Sequence, residues 1–133
     1  MSEKTQRLEI VTPQKKVFSE DVRFVVAPGI EGELGILPDH APLISALNIG
    51  VLRIQQDGKN FKVVVNGGFM EVRDSRVTVL ANSAERAEDI NVARVEAAKQ
   101  RAEQRLASGG SDIDIARAEF ALKRAIMRLK ALN

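Results

Sequence analysis

Few residues in this chain could do chemistry, and their spacing narrows the choice. The one histidine, His40, stands in Leu37-Pro38-Asp39-His40-Ala41-Pro42. With a single histidine and no cysteine, neither a His-rich nor a thiolate metal site can be built. An Asp–His pair can orient a general base. Adjacent residues in a Pro-flanked turn are badly placed for a triad, however, and no nucleophile elbow is present. His40 therefore reads as a loop histidine that bonds locally. Gly29, Gly32, Gly35 and the pair Gly67-Gly68 fit neither a G-x-x-x-x-G-K-[ST] phosphate loop nor a G-x-G-x-x-G turn opening a helix. Glycines inside strand-like segments mark bulges and bends instead. The carboxylates are scattered, and none pairs as acid and base. The sequence assigns no catalytic residue and no metal ligand.

What remains is arginine at helical spacing. Arg94, Arg101 and Arg105 precede a Ser108-Gly109-Gly110-Ser111 break, and Arg117, Arg124 and Arg128 follow it. Arg124 and Arg128 lie one turn apart on one face. A solvated face with Glu–Arg pairs is one reading, since Glu96, Glu103 and Glu119 are available. The other is a guanidinium cluster for a phosphate ligand or an acidic protein surface. Two such stripes facing one cleft repel unless an anion lies between them, which makes a polyphosphate a reasonable ligand.

The elements carrying these residues change character near Asn91. Before it come short, β-rich segments separated by turn signals: 7–12, 16–19, 22–28, 32–37, 50–55, 60–66, 68–72 and 76–81. In Arg76-Val77-Thr78-Val79-Leu80 the valines alternate with polar residues, as a strand with one wet face requires. Asp57-Gly58 marks a hairpin turn. Strands this short and close argue for a β-sandwich or small barrel. After Asn91 the period becomes helical. Asn91 is a good N-cap behind the acids Glu88 and Asp89, and the first helix is expected over 92–107. Gly109 and Gly110 form the break, a hinge between the helices. Ser111-Asp112-Ile113-Asp114 has the form of a capping box, and the second helix is expected over 112–132. Its seam is Ile115, Ala118, Leu122, Ala125, Leu129 and Leu132. The first helix offers Val95, Ala98, Ala102 and Leu106. The expected class is α+β, with a β-sandwich or barrel over 1–87 and an antiparallel two-helix hairpin over 88–133.

Composition fits that division. The chain has 133 residues, 44% of them hydrophobic, and a net charge of +2. Residues 1–89 carry 11 Lys/Arg against 13 Asp/Glu, while residues 90–133 carry 9 against 5, so the positive excess sits on the hairpin. A net charge this small gives no general attraction to nucleic acid or membrane. With no Trp and no Tyr, and with its few Phe in or beside apolar strands or on the second helix, the chain makes a weak base-stacking platform for nucleic acid. No apolar run is long enough to span a membrane, and the first residues lack the apolar core of a signal peptide. The chain is expected to stay where it is made. The hairpin seam is rich in alanine. At roughly 25 cal/mol per Å² its burial gives several kcal/mol gross, and chain ordering offsets much of that. A hairpin so balanced can act as a switch.

Gly32-Glu33-Leu34-Gly35-Ile36-Leu37-Pro38-Asp39-His40-Ala41-Pro42-Leu43, Gly67-Gly68-Phe69-Met70-Glu71-Val72, Val77-Thr78-Val79-Leu80-Ala81, Ala84-Glu85-Arg86-Ala87-Glu88-Asp89-Ile90 and Leu122-Lys123-Arg124-Ala125 occur in that order. Together they resemble the epsilon-subunit family of F-type ATP synthases of bacteria and chloroplasts. The resemblance implies a non-catalytic subunit of the rotor's central stalk, whose β-domain binds the gamma subunit and the ring of c subunits. It implies contact with that ring near Glu33 and His40. It implies a regulatory hairpin that, extended along gamma, inhibits ATP hydrolysis by setting Arg117, Lys123, Arg124 and Arg128 against acidic loops of the alpha and beta catalytic subunits. The expected location is peripheral, on the cytoplasmic face of the bacterial plasma membrane or the stromal face of the thylakoid, without membrane insertion. Some members bind ATP on the folded hairpin through I/L-D-x-x-R-A, read here as Ile90-Asn91-Val92-Ala93-Arg94-Val95. Glu85, Ile90, Asn91, Arg94, Arg101, Arg124 and Arg128 correspond to such a site. Asn91 and Val95 depart from the motif, which implies ATP as a weak regulatory ligand and no required cofactor. An ATP-sensing module is the alternative function.

Overall fold

The computed structural model describes residues 4–109 and 114–132. Eight strands precede two helices: β1 (Gln6–Val11), β2 (Lys16–Val22), β3 (Phe24–Gly29), β4 (Gly32–Ile36), β5 (Leu43–Gln56), β6 (Lys59–Arg73), β7 (Arg76–Ala81) and β8 (Ala84–Arg86). A 3-10 turn, Ala87–Asp89, leads into α1 (Val92–Ser108) and α2 (Ile115–Ala131). The order along the sheet is β2-β1-β7-β6-β5-β3-β4, and β8 also pairs with β6. All pairings are antiparallel except β1 with β7.

The long strands β5 and β6 make the sandwich. Their second and first halves pair together (Ile49↔Asn66 to Gln56↔Lys59), flanked by β3 and β8. Their other halves (Leu43↔Val72 to Leu47↔Gly68) are flanked by β7 and then β1 and β2. The ribbon bends between, at Gly67 (φ +73°) and Gly68 (φ +118°). A Cβ on Gly68 would stand 2.1 Å from the Leu80 carbonyl oxygen, so the bend admits no side chain there. The bend folds one layer over the other: Phe18 of β2 meets Phe61 of β6 edge-on with ring centroids 6.1 Å apart. Leu8, Ile10, Val25, Ile36, Leu52, Ile54, Val63, Val65, Met70, Val72, Val77 and Val79 fill the space between the layers.

This architecture is the sandwich-plus-hairpin expected, with differences of detail. Segments 60–66 and 68–72 are one strand, because Gly67-Gly68 is a bend rather than a turn. β5 begins at Leu43, not at Gly50. β8 was not foreseen. Outside the core, Val64 points to the other face and joins Ile90, Val95, Ala125 and Ala131 in a second cluster, with Val51, Met127 and Leu129 at its margin. This small, Ala-rich contact seats the hairpin on the sheet.

Asn91 caps α1 as expected, its Oδ1 accepting the Arg94 N–H at 3.1 Å. Gly109 ends α1 in the left-handed region at φ +58°. Gly110, Ser111 and Asp112 lie outside the described residues, so the expected capping box and second hinge glycine are not seen. Asp114, foreseen inside α2, is instead its N-cap, and its carboxylate accepts the Arg117 N–H at 3.0 Å. Val95, Ala102, Ala118 and Ala125 of the expected seam are buried; Ile115 and Leu132 are exposed, and Ala131 is buried in addition. Among the described residues no helix is long and apolar enough to cross a membrane.

Candidate anion site at the sheet–hairpin junction

Three of the expected ligand-site residues meet. β8 pairs Glu85 with Val64 on β6, directly beneath α2. α2 turns Arg124 and Arg128, one turn apart, toward that edge. Arg128 Nε lies 3.0 Å from Glu85 Oε1, with the two side chains 36% and 37% exposed. The N–H is not aligned on that buried oxygen, which accepts no hydrogen bond among the described residues, so the contact is an ion pair alone. Solvent screening at this exposure leaves it about 1 kcal/mol or less. Beside the pair opens a cleft of about 250 Å³, walled by Glu85, Arg86, Asp89, Arg124 and Arg128 and, from the β1–β2 turn, Lys15. Four cations face two carboxylates there, which favours an anionic occupant.

The other expected residues are elsewhere. Ile90 is buried in the hairpin–sheet cluster, and the Asn91 side chain is used in capping. Arg94 and Arg101 are exposed and do not line the cleft. The cause is rotational: Val95 and Ala102 occupy the seam, and each arginine, one residue earlier, is turned about 100° away from it. The two stripes therefore do not share the cleft. Glu96, Glu103 and Glu119 are exposed, like Arg94, Arg101, Arg105 and Arg117, and enter no ion pair among the described residues, so the hairpin has the expected solvated face without the Glu–Arg pairs. Of the four residues expected to meet the catalytic subunits, Arg117 is exposed, and Lys123 Nζ donates to Asn48 Oδ1 at 2.8 Å, tying α2 to β5. Arg124 and Arg128 are in the cleft wall.

Beside the last turns of α2, Glu33 on β4 pairs with Arg53 at 3.4 Å, and both line a second cleft with Met127 and Lys130. His40 Nδ1 lies 2.7 Å from the Ala41 carbonyl oxygen, the local bond expected of it. Asp39 faces away from a triad: Lys4 Nζ donates to it at 2.8 Å and the Ser75 hydroxyl at 3.0 Å. The Lys4 hydrogen bond, then that from Ser75, holds the Asp39 carboxyl below the usual carboxylate range, and the same contact raises the Lys4 ammonium. No group of three or more His, Asp or Glu able to hold a metal occurs among the described residues.

Sequence reading missed Lys15 and Arg86. Arg86 donates from Nε and a terminal nitrogen to the Val17 carbonyl, at 3.2 and 2.9 Å, and stands 5.1 Å over the Phe18 ring. Sixty-nine residues separate Arg86 from Val17, so no local pattern could signal the contact.

The eight-stranded sandwich and the two helices after it define a two-part architecture, a β-domain followed by a helical arm. The family model described as the delta/epsilon chain, beta-sandwich domain, of ATP synthase matches residues 5–87, and the model for the long alpha-helix domain of the same chain matches 88–133. The chain belongs to the ATP synthase delta/epsilon family, as a non-catalytic subunit of the epsilon type. It is 78% identical over 107 residues to the ATP synthase epsilon chain of Pelotomaculum thermopropionicum, covering 80% of each chain. It is 69% identical over 108 residues to that of Desulforamulus reducens, covering 81% of this chain and 82% of the other. Among solved structures, a chain of the Euglena gracilis mitochondrial ATP synthase (OSCP/F1/c-ring) superposes with a TM-score of 0.84 at 25% identity, covering 97% of this chain and 82% of that one. A chain from the central stalk and c-ring of the Tetrahymena thermophila enzyme shares the fold, with a TM-score of 0.65 at 17% identity over the whole of both chains.

Proposed function

We propose that this chain is a central-stalk rotor subunit that couples the catalytic head of an ion-driven ATP synthase to its c-ring and restrains ATP hydrolysis through its hairpin. The observation that carries the reading is the hairpin's seat. It rests on the sheet through a cluster built largely of alanine and valine, one ion pair and the Lys123–Asn48 bond. A contact this small can be exchanged for another of similar size. On release, Arg124 and Arg128 leave the cleft and Lys123 leaves Asn48. With Arg117 they form the basic surface for acidic loops of the alpha and beta subunits.

The sandwich supplies the other contacts. Ile44, Phe69 and Leu80 are 71%, 58% and 56% exposed on the outer face of β5, β6 and β7. Phe69 pairs with both Ala46 and Leu80. A contiguous apolar strip of this kind marks a protein interface, and the gamma subunit is the partner assigned to it. Glu33 and His40, on β4 and the loop after it, are assigned to the c-ring's polar loops. The Euglena chain comes from an OSCP/F1/c-ring assembly, which supports a place next to a c-ring in general. The two assignments set the subunit at the cytoplasmic face of a bacterial plasma membrane, held by partners rather than by insertion. Residues 1–87 then form the coupling domain and 88–133 the regulatory arm.

Deleting residues 90–133 tests the arm. The truncated chain should still assemble with gamma and the c-ring and should lose at least most of the inhibition of ATP hydrolysis by the assembled complex. Inhibition equal to that of the full chain removes the arm from the mechanism. A second reading is favoured by the convergence of Glu85, Arg124 and Arg128 on one cleft: ATP bound there holds the hairpin folded. Calorimetry of the isolated chain with ATP distinguishes this sensing role from a purely mechanical arm, since the latter predicts no heat at millimolar nucleotide.

A further inference from the structure

The cleft has a wall that no helix supplies. Lys15 closes the turn between β1 and β2, and its backbone is fixed on both sides by Thr12. The Thr12 N–H donates to the Lys15 carbonyl at 2.9 Å, the Thr12 hydroxyl to the same oxygen at 3.1 Å, and the Lys15 N–H to the Thr12 hydroxyl at 3.2 Å. Thr12 is itself buried, at 8% exposure. Pro13 stiffens the turn further. The result is an ammonium on a rigid base across the cleft from Arg124 and Arg128. Lys15 and Arg124 have no ion-pair partner among the described residues, whereas Arg128 has Glu85 and Arg86 has the Val17 carbonyl and Glu88. Two unpaired cations, one from each side of the sheet–hairpin junction, face the same space.

Resting on the ATP-sensing reading, we infer that Lys15 is a ligand for the phosphate portion of the bound nucleotide and bridges it to Arg124 on α2. Size supports the assignment. At about 250 Å³ the cleft lies just under the roughly 300–1,000 Å³ of sites that enclose a whole drug-sized molecule, a size that suits phosphate groups. The anion then joins the sandwich to α2 directly, and occupancy clamps the hairpin closed. Without Lys15 the phosphates touch the arm and β8 but not the β1–β2 turn.

The test is calorimetry of the full chain with ATP and, separately, with inorganic tripolyphosphate, on wild type and on Lys15→Ala, Lys15→Arg and Arg124→Ala. Lys15→Ala should weaken both ligands about tenfold, as loss of one charge-assisted contact does, and should flatten the salt dependence of binding. Lys15→Arg should restore most of the affinity, which a purely structural role for the turn does not predict. If wild type binds, Arg124→Ala weakens binding and Lys15→Ala does not, the Lys15 assignment is wrong while the sensing reading stands. If wild type binds neither ligand at millimolar concentration, both fall together.

Discussion

At the scale of single residues, the cleft's geometry depends on side chains whose partners are remote in sequence. Arg86 is the clearest case. Its fork fits the Val17 carbonyl and its guanidinium covers Phe18, so it pins β8 to β2 and fixes the strand that presents Glu85. Arg86→Ala should lower the unfolding free energy by about 1.5–3 kcal/mol, the range for hydrogen bonds to a charged group. Arg86→Lys should recover less than half, because an ammonium cannot make the paired contact. Urea denaturation of both variants measures this, and equal stability of the alanine variant and wild type would remove the pin. The cap of α1 was legible, since Asn91 before a helical run announces itself and the structure uses it so, whereas that of α2 fell on Asp114, inside the expected helix. His40 was legible too, as a residue with nothing to activate. Arg86 and Lys15 were not, because their roles depend on which strands lie side by side.

At the scale of elements, what could be read was the period and what could not was the length. The alternation in β7 and the helical run after Asn91 are local patterns, and both gave elements of the expected type. β5 begins seven residues early because Leu43-Ile44-Ser45-Ala46-Leu47-Asn48-Ile49 has a mixed propensity and is a strand through its pairing with β6. Three-residue β8 leaves no pattern at all. Gly67-Gly68 misled for a physical reason, since positive φ serves turns and bends alike. The two uses differ in what surrounds the glycine, which gives a paired prediction. Gly68→Ala places a Cβ against the Leu80 carbonyl and should cost at least about 3 kcal/mol, combining backbone strain with a clash that the sheet cannot relieve. Gly109→Ala has the same sign of φ but open space around it, so only the left-handed conformation is penalised, by about 1 kcal/mol. Thermal unfolding of the two variants compares them directly, and similar losses would mean that strain alone sets both.

At the scale of the molecule, two apolar clusters on opposite faces of one sheet divide the work. Among the described residues, the core between the layers holds seventeen buried side chains. The cluster under the hairpin is small and shares none of them, with Val64 facing outward between the inward Val63 and Val65. Clusters without shared members should respond independently to substitution, and the hairpin should open as a unit while the sandwich stays folded. Ala125 is the place to test this, since it is buried at 1% exposure where α2 meets the cluster. Ala125→Leu adds a side chain where the packing has room only for a methyl group, and overpacking of this kind costs about 1–3 kcal/mol. Here the cost falls on closure alone. Amide hydrogen exchange should then speed up about 5- to 150-fold over the two helices, Val92–Ser108 and Ile115–Ala131, while the amides of Leu8, Ile10, Val77 and Val79 keep their protection. The same variant in the assembled complex should inhibit ATP hydrolysis more strongly, because a less stable seat leaves more of the arm free to extend. Exchange that rises equally in the sandwich would show that arm and sandwich unfold as one, and a release mechanism built on a separable hairpin would then be ruled out.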